Sequence, residues 1–418
     1  MLDRTKAPPY SHTTNLLLPT PKKIKIHEDA FAFNLVDLKQ DVVKIEIVVR
    51  AGKWSESLPG VANFACQMLN KGTSQMNAAT IAAFFDQHGA FFEANSGADY
   101  SSISLYSLTH NLEKVLPVFL QIVKSPSFPE SEFELIKDSF VQNLKIKKQK
   151  TSYLASKALN RNLFGSQHPY GRPVEEEHVR NISTLDLKKF HQDHFQLDSI
   201  FIVGSVSEDS VKRLRDAFSQ VASKITAVAH PIETSAIGRT TIDTEAGSQA
   251  TIRMGKRSIM RAHSDYFDLI FLNHLLGGYF GSRLMKNIRE DKGLTYGISS
   301  ALQAFKNDSV FLIGADINKD KIELVFEEIR NELRSLIETP VTLSELNLAK
   351  NHFIGNLQIE LASPFSVMEK IKKIELHELD QDYYQQLINK VENFDDITQL
   401  RVASTYLSED SFHEVVAF

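Results

Sequence analysis

Cys66 sits between Asn63 and Gln67, and the three fall at i, i+3 and i+4, a spacing that shares one face of a helix. A thiolate there could ligate zinc or act as a nucleophile. As a ligand it would stand alone, because the flanking amides lack the nitrogen and sulfur donors that zinc prefers. As a nucleophile it would need an activating base, and nothing in the sequence brings His88 to it. Free cysteines are among the most buried residue types, so Cys66 is expected to be a small apolar helix residue. A second constellation, His191-x-x-His194 beside Asp193, puts two imidazoles on one helical turn. Phe190 and Phe195 flank it, and packing is the expected role. His168, in His-Pro-Tyr, is expected to set a turn before Gly171, and His274, ahead of Leu-Leu-Gly-Gly, to lie in the core. The run Lys145-Ile-Lys-Lys-Gln-Lys150 reads as a solvated helix face rather than a nucleic-acid patch.

The elements that hold these residues come in two sets. Leu112, Val115, Leu116, Phe119, Leu120 and Val123 form one helical stripe that ends before Pro126. A new helix is expected at Pro129-x-Ser131-x-x-Glu134, with a capping box at Ser131. In the second half Ile322, Val325, Phe326, Ile329, Leu333 and Leu336 repeat the stripe, and Pro340-x-Thr342-x-x-Glu345 repeats the start, 211 residues after Pro129. Upstream of each stripe lies a strand-like run, Tyr100–Tyr106 and Ser309–Ile313. Further strands are expected at Val42–Val49, Ser199–Val203 and Ala250–Met254, and helices over 131–163 and 344–361. Two tandem homologous α+β domains follow, 1–230 and 231–418, joined through Ala222–Arg239.

Composition sets limits on function. The chain has 418 residues, 42% hydrophobic and 24% charged, with a net charge of −5. Those values fit a globular protein of about two domains and give no basic excess for nucleic acid. One cysteine excludes an internal disulfide framework and favours a reducing compartment. No apolar core of signal-peptide length occurs in the first 40 residues and no uncharged apolar run reaches ~18. A cytoplasmic location without a membrane span is therefore the expectation, with a periplasmic one the alternative for a chain whose leader has been trimmed.

Gly60-Val-Ala-Asn-Phe-Ala-Cys-Gln-Met-Leu-Asn-Lys-Gly-Thr73 resembles the zinc helix of the pitrilysin/insulinase peptidases, which include mitochondrial processing peptidase. Phe128-Pro-Glu130, Phe164-Gly-Ser-Gln-His-Pro-Tyr-Gly171 and Leu276-Gly-Gly followed by Ser282-Arg-Leu284 extend the likeness over nearly the whole chain. The resemblance implies an antiparallel-rich sheet packed with helices in each half, the LuxS/MPP-like metallohydrolase fold. In the family the zinc helix reads His-x-x-Glu-His: two imidazoles one turn apart bind the metal and the glutamate polarises water. Here those positions are Asn63, Cys66 and Gln67. The family's downstream glutamate falls on Asn143, with Leu144 the one close alternative. No metal is expected in this chain, since neutral amides are poor zinc ligands and no general base remains.

The resemblance also gives Arg289-Glu-Asp-Lys-Gly-Leu-Thr-Tyr296 a meaning. Its Arg and Tyr, seven residues apart, match a pair that lies opposite the zinc in two-domain family members. By that likeness Arg289 binds peptide carbonyls or a carboxylate, and Tyr296 donates a hydrogen bond to an oxyanion. A structural alternative stays open, with Arg289 ending a helix before Gly293 and Tyr296 opening a strand. Arg283 is expected to be structural. The implied assembly is a heterodimer with a zinc-bearing paralogue acting on peptides, and a homodimer is an open arrangement for the isolated chain. A non-catalytic scaffold or peptide-binding homologue, like the core subunits of respiratory complexes, is the competing reading.

Overall fold

Val-Val-Lys-Ile-Glu-Ile-Val-Val, residues 42–49, is β-branched at almost every second position and forms a strand over the full run. The structure, a computed structural model, describes residues 16–36, 41–219, 229–244 and 247–418. The N-terminal segment 1–15 and the stretch 222–228 of the expected junction lie outside the described residues. In the first half β1 (Lys22–Lys25), β2 (Phe31–Leu35), β3 (Val42–Val49), β4 (Phe91–Ser96), β5 (Ser101–Leu108) and β6 (Leu197–Val203) form one sheet. Its order is β1-β2-β6-β3-β5-β4. The second half places β7 (Arg239–Ile242), β8 (Gln249–Arg257), β9 (Thr295–Ala304), β10 (Ser309–Asn318) and β11 (His413–Ala417) in the order β7-β11-β8-β10-β9. From β2 onward the two orders match strand for strand. Each has one parallel pair at the same place, β2 with β6 and β7 with β11. The two halves are thus copies of one α+β fold, as the repeated stripes predict.

Among the described residues, eight α-helices accompany the first sheet: α1 (Val61–Met68), α2 (Ala78–Gln87), α3 (Leu112–Lys124), α4 (Glu130–Lys148), α5 (Thr151–Phe164), α6 (Glu176–Asn181), α7 (Thr184–His194) and α8 (Glu208–Ala217). Six lie in the second half: α9 (Tyr266–Gly277), α10 (Ile322–Glu338), α11 (Leu343–Ile359), α12 (Pro364–Leu376), α13 (Tyr383–Asn393) and α14 (Asp396–Tyr406). The expected stripes are α3 and α10, and their apolar residues are buried. The span 131–163, read as helical, breaks at Gln149 and Lys150 into α4 and α5. One expected cap is corrected. α4 begins at Glu130 with Pro129 in the cap position and no side-chain cap, so Ser131 lies inside the first turn. At α11 Thr342 does cap, accepting from the Glu345 N–H at 3.2 Å. Glu345 then turns to Arg283, with Nε–Oε1 2.7 Å and Nη2–Oε2 3.1 Å, which is the structural role expected of that arginine.

Each sheet has two faces, and the halves share the task of covering them. On β3, Val43, Ile45, Ile47 and Val49 pack into the first half's own helical core. Val48, with Phe33, Phe201 and Val203, faces the other way, onto Val367, Met368 and Ile371 of α12. The exchange is reciprocal: Ala155, Leu159 and Leu163 of α5 pack on Val310, Val415 and Ala417 of the second sheet. Contact is close enough at Gly255 that an added Cβ would stand 2.8 Å from Leu159 Cδ2 and 3.0 Å from Leu312 Cδ2, so a side chain there would have to displace those methyl groups.

Polar groups pin the crossing of α12. Glu46, with its side chain 3% exposed, takes Lys44 Nζ and Lys372 Nζ, each at 2.7 Å, while Lys44 also reaches Glu369 at 3.0 Å. Burial alone would lower the Lys44 pKa, yet Glu46 and Glu369 outweigh it and raise it. Removing Glu46 leaves the Lys44 and Lys372 ammonium groups sharing the half-exposed Glu369, at 3.0 and 2.6 Å, in place of a buried carboxylate. Glu46→Gln is expected to cost about 3–5 kcal/mol in urea unfolding, whereas Glu369→Gln, at a half-exposed site, costs about 1 kcal/mol or less.

Candidate functional site

The first-half helix α1 starts at Gly60, whose φ of +99° turns the chain in, and it buries Val61, Phe64, Ala65 and Met68. Burying that face turns Asn63 and Gln67 outward. Both line a cavity of about 660 Å³ walled by α1, α4, α5 and the loop at Tyr170–Val174. Asn143 of α4 lines it as well, while its neighbour Leu144, also in the wall, is buried at 5% exposure. Three positions separated in sequence are therefore gathered at one surface. Cys66 is not among them. It points into the protein at 2% exposure, and burial, with Glu56 adding to it against a hydrogen bond with Ser101, pushes its thiol up to about 12. A protonated, enclosed thiol neither ligates a metal nor attacks a carbonyl.

Could the cavity hold zinc? Its protein donors at the three gathered positions are carboxamides, and it contains no imidazole, thiolate or carboxylate. The residues do not fit the ion. Among the described residues, no three His, Cys, Asp or Glu side chains are grouped closely enough to hold a metal anywhere else. His191 Nε2 lies 2.8 Å from the Val123 carbonyl, and its ring packs on Phe195 at 4.6 Å. His194 tilts on Phe190 at 4.9 Å. His274 stacks on Tyr279 at 4.5 Å and meets His352 at 3.2 Å, as a core residue. His168 behaves as a turn-former. Its Nδ1 accepts from the Tyr170 N–H at 3.2 Å, its carbonyl accepts from Gly171 at 2.9 Å, and its ring stacks on Phe164.

Sequence reasoning misses one group, Glu56. It precedes α1, and its Oε1 accepts from the Ala62 N–H at 3.1 Å, while Arg172 stands 3.8 Å from Oε2. Burial raises its pKa to about 7 against the opposing pull of the Gly60 and Ala62 amides, Arg172 and Lys53. The one clue in the sequence is an acid just ahead of a helix start, where the dipole favours negative charge.

The second-half pair is arranged differently. Arg289 lies on a π-helical turn, Met285–Asp291, a form common at functional sites, with its guanidinium 4.5 Å over Phe280. Gly293, at φ +61°, ends that turn. Tyr296 follows at the start of β9, the edge strand of its sheet, and is 97% exposed. Its phenol has no hydrogen-bond partner among the described residues. Its neighbour Gly297 lines a second cavity of about 400 Å³, and Ser156 and Asn160 of α5 line both cavities. Helix α5 is thus the shared wall between the amide-lined pocket and the strand that Tyr296 opens. Among the described residues, no hydrogen bond, ion pair or ring contact joins the Arg289–Tyr296 pair to Asn63, Gln67 or Asn143.

Residues 35–177 match the family model described as Insulinase (Peptidase family M16), and residues 181–353 match the Peptidase M16 inactive domain. An uncharacterized zinc protease of Bacillus subtilis, YmxG, is 26% identical over 343 residues, covering 80% of this chain and 83% of that protein. One from Rickettsia bellii is 26% identical over 325 residues, covering 76% and 78%. Among solved structures, a peptidase M16 inactive domain from Pseudomonas fluorescens superposes with a TM-score of 0.83 at 24% identity, covering 95% of this chain and 98% of that one. A protease from Helicobacter pylori gives 0.84 at 18% identity, covering 96% and 100%. The periplasmic protease PqqL of Escherichia coli gives 0.76 at 14%, and this chain spans 49% of its length. These likenesses carry the fold.

Glu56 gives a pH signature. Its folded-state pKa lies above the ordinary carboxyl value, so the folded protein binds the extra proton as pH falls from about 7 to 4.5, gaining stability there and losing it as pH rises. Glu56→Gln should remove that dependence. Relative to the parent, the variant is expected to gain roughly 1–3 kcal/mol between pH 5 and pH 8 in denaturant titrations. A difference independent of pH would mean that Glu56 stays ionised throughout.

Proposed function

Because this chain belongs to the insulinase family, peptidase family M16, we propose that it is the metal-free subunit of a two-chain peptidase and lends Arg289 and Tyr296 to a zinc-bearing paralogue. The supporting observation is Tyr296: a tyrosine 97% exposed, with no partner of its own among the described residues, at the start of an edge strand. A large aromatic side chain in that state has no packing role, and its phenol is free to meet a group from outside. The amides at Asn63, Gln67 and Asn143 support the other half of the reading, since they offer no ligand set and no general base.

In this mechanism the partner's metal supplies the activated water. This chain holds the substrate. Arg289, braced against Phe280, binds peptide carbonyls or a terminal carboxylate through its planar fork of donors. Tyr296 donates its phenolic hydrogen to the oxyanion that develops as the carbonyl carbon becomes tetrahedral, a placement commonly worth about 3–4 kcal/mol. An extended peptide adds to an exposed sheet edge, β4 in one half or β9 in the other, through main-chain hydrogen bonds that tolerate many sequences. Short peptides and unfolded segments fit that mode; folded proteins do not. The domains divide near residue 230, and a lone buried cysteine is in keeping with work in the cytoplasm. No helix among the described residues is long and apolar enough to cross a membrane.

A second reading, a non-catalytic peptide-binding homologue, draws on the amide-lined cavity, which is suited to peptide groups with or without a catalytic partner. Mixing experiments separate the two. The chain alone is expected to hydrolyse no peptide, and adding the zinc-bearing paralogue restores cleavage. Tyr296→Phe should then lower kcat by roughly one to three orders of magnitude with unchanged thermal stability. Wild-type turnover from that variant would make Tyr296 structural.

A further inference from the structure

The cavity at the family's metal position has the wrong sign of charge for a cation. Its wall carries Lys53, Lys147, Lys157 and Arg172, and no Asp or Glu. Two of these are matched from behind. Lys157 is paired with Glu175, which also takes Lys148 at 2.7 Å, and Arg172 stands 3.8 Å from Glu56. Lys53 and Lys147 are exposed and make no ion pair among the described residues. A hydrolytic metal would demand the reverse arrangement, anionic or imidazole donors around a positive ion.

The polar lining between the cations is also unspent. Asn63, Gln67, Asn143 and Asn160 line the cavity, and among the described residues none makes a side-chain hydrogen bond within the chain. Each carboxamide offers two donors and an acceptor, the complement of a peptide group. Phe140, Tyr153 and Tyr170 give the same wall apolar and aromatic surface. At about 660 Å³ the space falls within the roughly 300–1,000 Å³ typical of ligand sites.

We propose that this cavity binds an acidic peptide segment, with Lys53 and Lys147 meeting its carboxylates and the four amides hydrogen-bonding its backbone. The chain as a whole carries a charge of −5, so its distant field repels such a ligand, and the attraction is confined to the pocket. The site extends the proposed function by giving the metal-free subunit a substrate class. It stands on the cavity of this chain alone and needs no partner, so the two proposals fail separately. A chain that binds acidic peptides yet never stimulates a paralogue loses only the subunit role. Stimulation without acidic preference loses only this site.

The test is fluorescence anisotropy with a short labelled peptide rich in Asp and Glu and its Asn/Gln counterpart, using the full chain. The acidic peptide is expected to bind about tenfold tighter at low salt, with the advantage shrinking as salt rises. Lys53→Gln and Lys147→Gln should each cost roughly threefold and together remove the preference. Asn143→Glu, which puts a carboxylate back into the wall, should abolish it. Lys145→Gln is the control, since that lysine is exposed on the same helix but is not part of the wall, and it should leave binding unchanged. Equal affinity for the two peptides overturns the proposal. So does a preference that survives the double lysine variant, or one lost equally with Lys145→Gln, provided circular dichroism shows each variant folded.

Discussion

A sheet whose strands are apolar on both faces must be covered twice, and here the second cover comes from the other half of the chain. Helix α12 lies over Val48, Phe201 and Val203, while α5 lies over Val310, Val415 and Ala417. Fully burying one such side chain is worth about 1.5–3 kcal/mol, so each crossing contributes enough to make separation of the halves costly. The same α5 that closes the second sheet presents Ser156 and Asn160 to both cavities. Cohesion and site geometry therefore depend on one packing contact. Where the hairpin tips of the two sheets meet, Asp99 accepts from the Lys306 N–H at 3.0 Å and pairs with the Tyr170 hydroxyl, and Tyr170 stacks on Phe305 at 4.2 Å. The Tyr of the His-Pro-Tyr loop thus belongs to the joint between the halves as well as to the cavity wall.

Duplication produced two equivalent hollows with different fates. In the first half α1, α4 and α5 enclose about 660 Å³; in the second the corresponding α9, α11 and α12, with α13, leave about 220 Å³. Phe353, Tyr383 and Tyr384 line the second hollow, and His274 stacks between Tyr279 and His352. Lys373, in its wall, is desolvated, and that burial, with Arg261 and Lys370 nearby, lowers its pKa to about 8. Both hollows carry aromatic side chains, and the larger one adds Asn63, Gln67, Asn143 and Asn160 to its wall.

Local order was legible where the pattern of residues settles it. Val42–Val49, Ser309–Ile313 and the two helical stripes could be read because burial on one face imposes a period on the sequence. Strands β4 and β9 were harder: Phe91–Ser96 and Thr295–Ala304 are edge strands rich in polar and small residues, exposed along one side, so they carry little apolar alternation. The Ser131 cap misled because serine three residues before a glutamate matches the capping pattern, while Pro129, with its fixed φ, starts the helix earlier. Longer-range facts had no local trace. Lys44 and Glu46 alternate with apolar residues as if facing water, and only the arrival of α12 from some 320 positions away makes them a buried network. At the site, the chemistry of Asn63, Gln67 and Asn143 was readable by type, but their convergence on one cavity and the inward turn of Cys66 required three dimensions.

That inward turn has an electrostatic consequence at position 66. A carboxylate at position 66 would lie in the field of Glu56, which already acts on the thiol and already resists ionisation through burial. Two enclosed acids side by side are disfavoured unless a cation stands between them. Cysteine avoids the conflict by being small and neutral. The surrounding bases Lys53, Lys147 and Arg172 face a cavity whose lining has no acid, and the neutral amides add no charge of either sign. The residue types are mutually consistent: neutral at 63, 66, 67 and 143, positive around them.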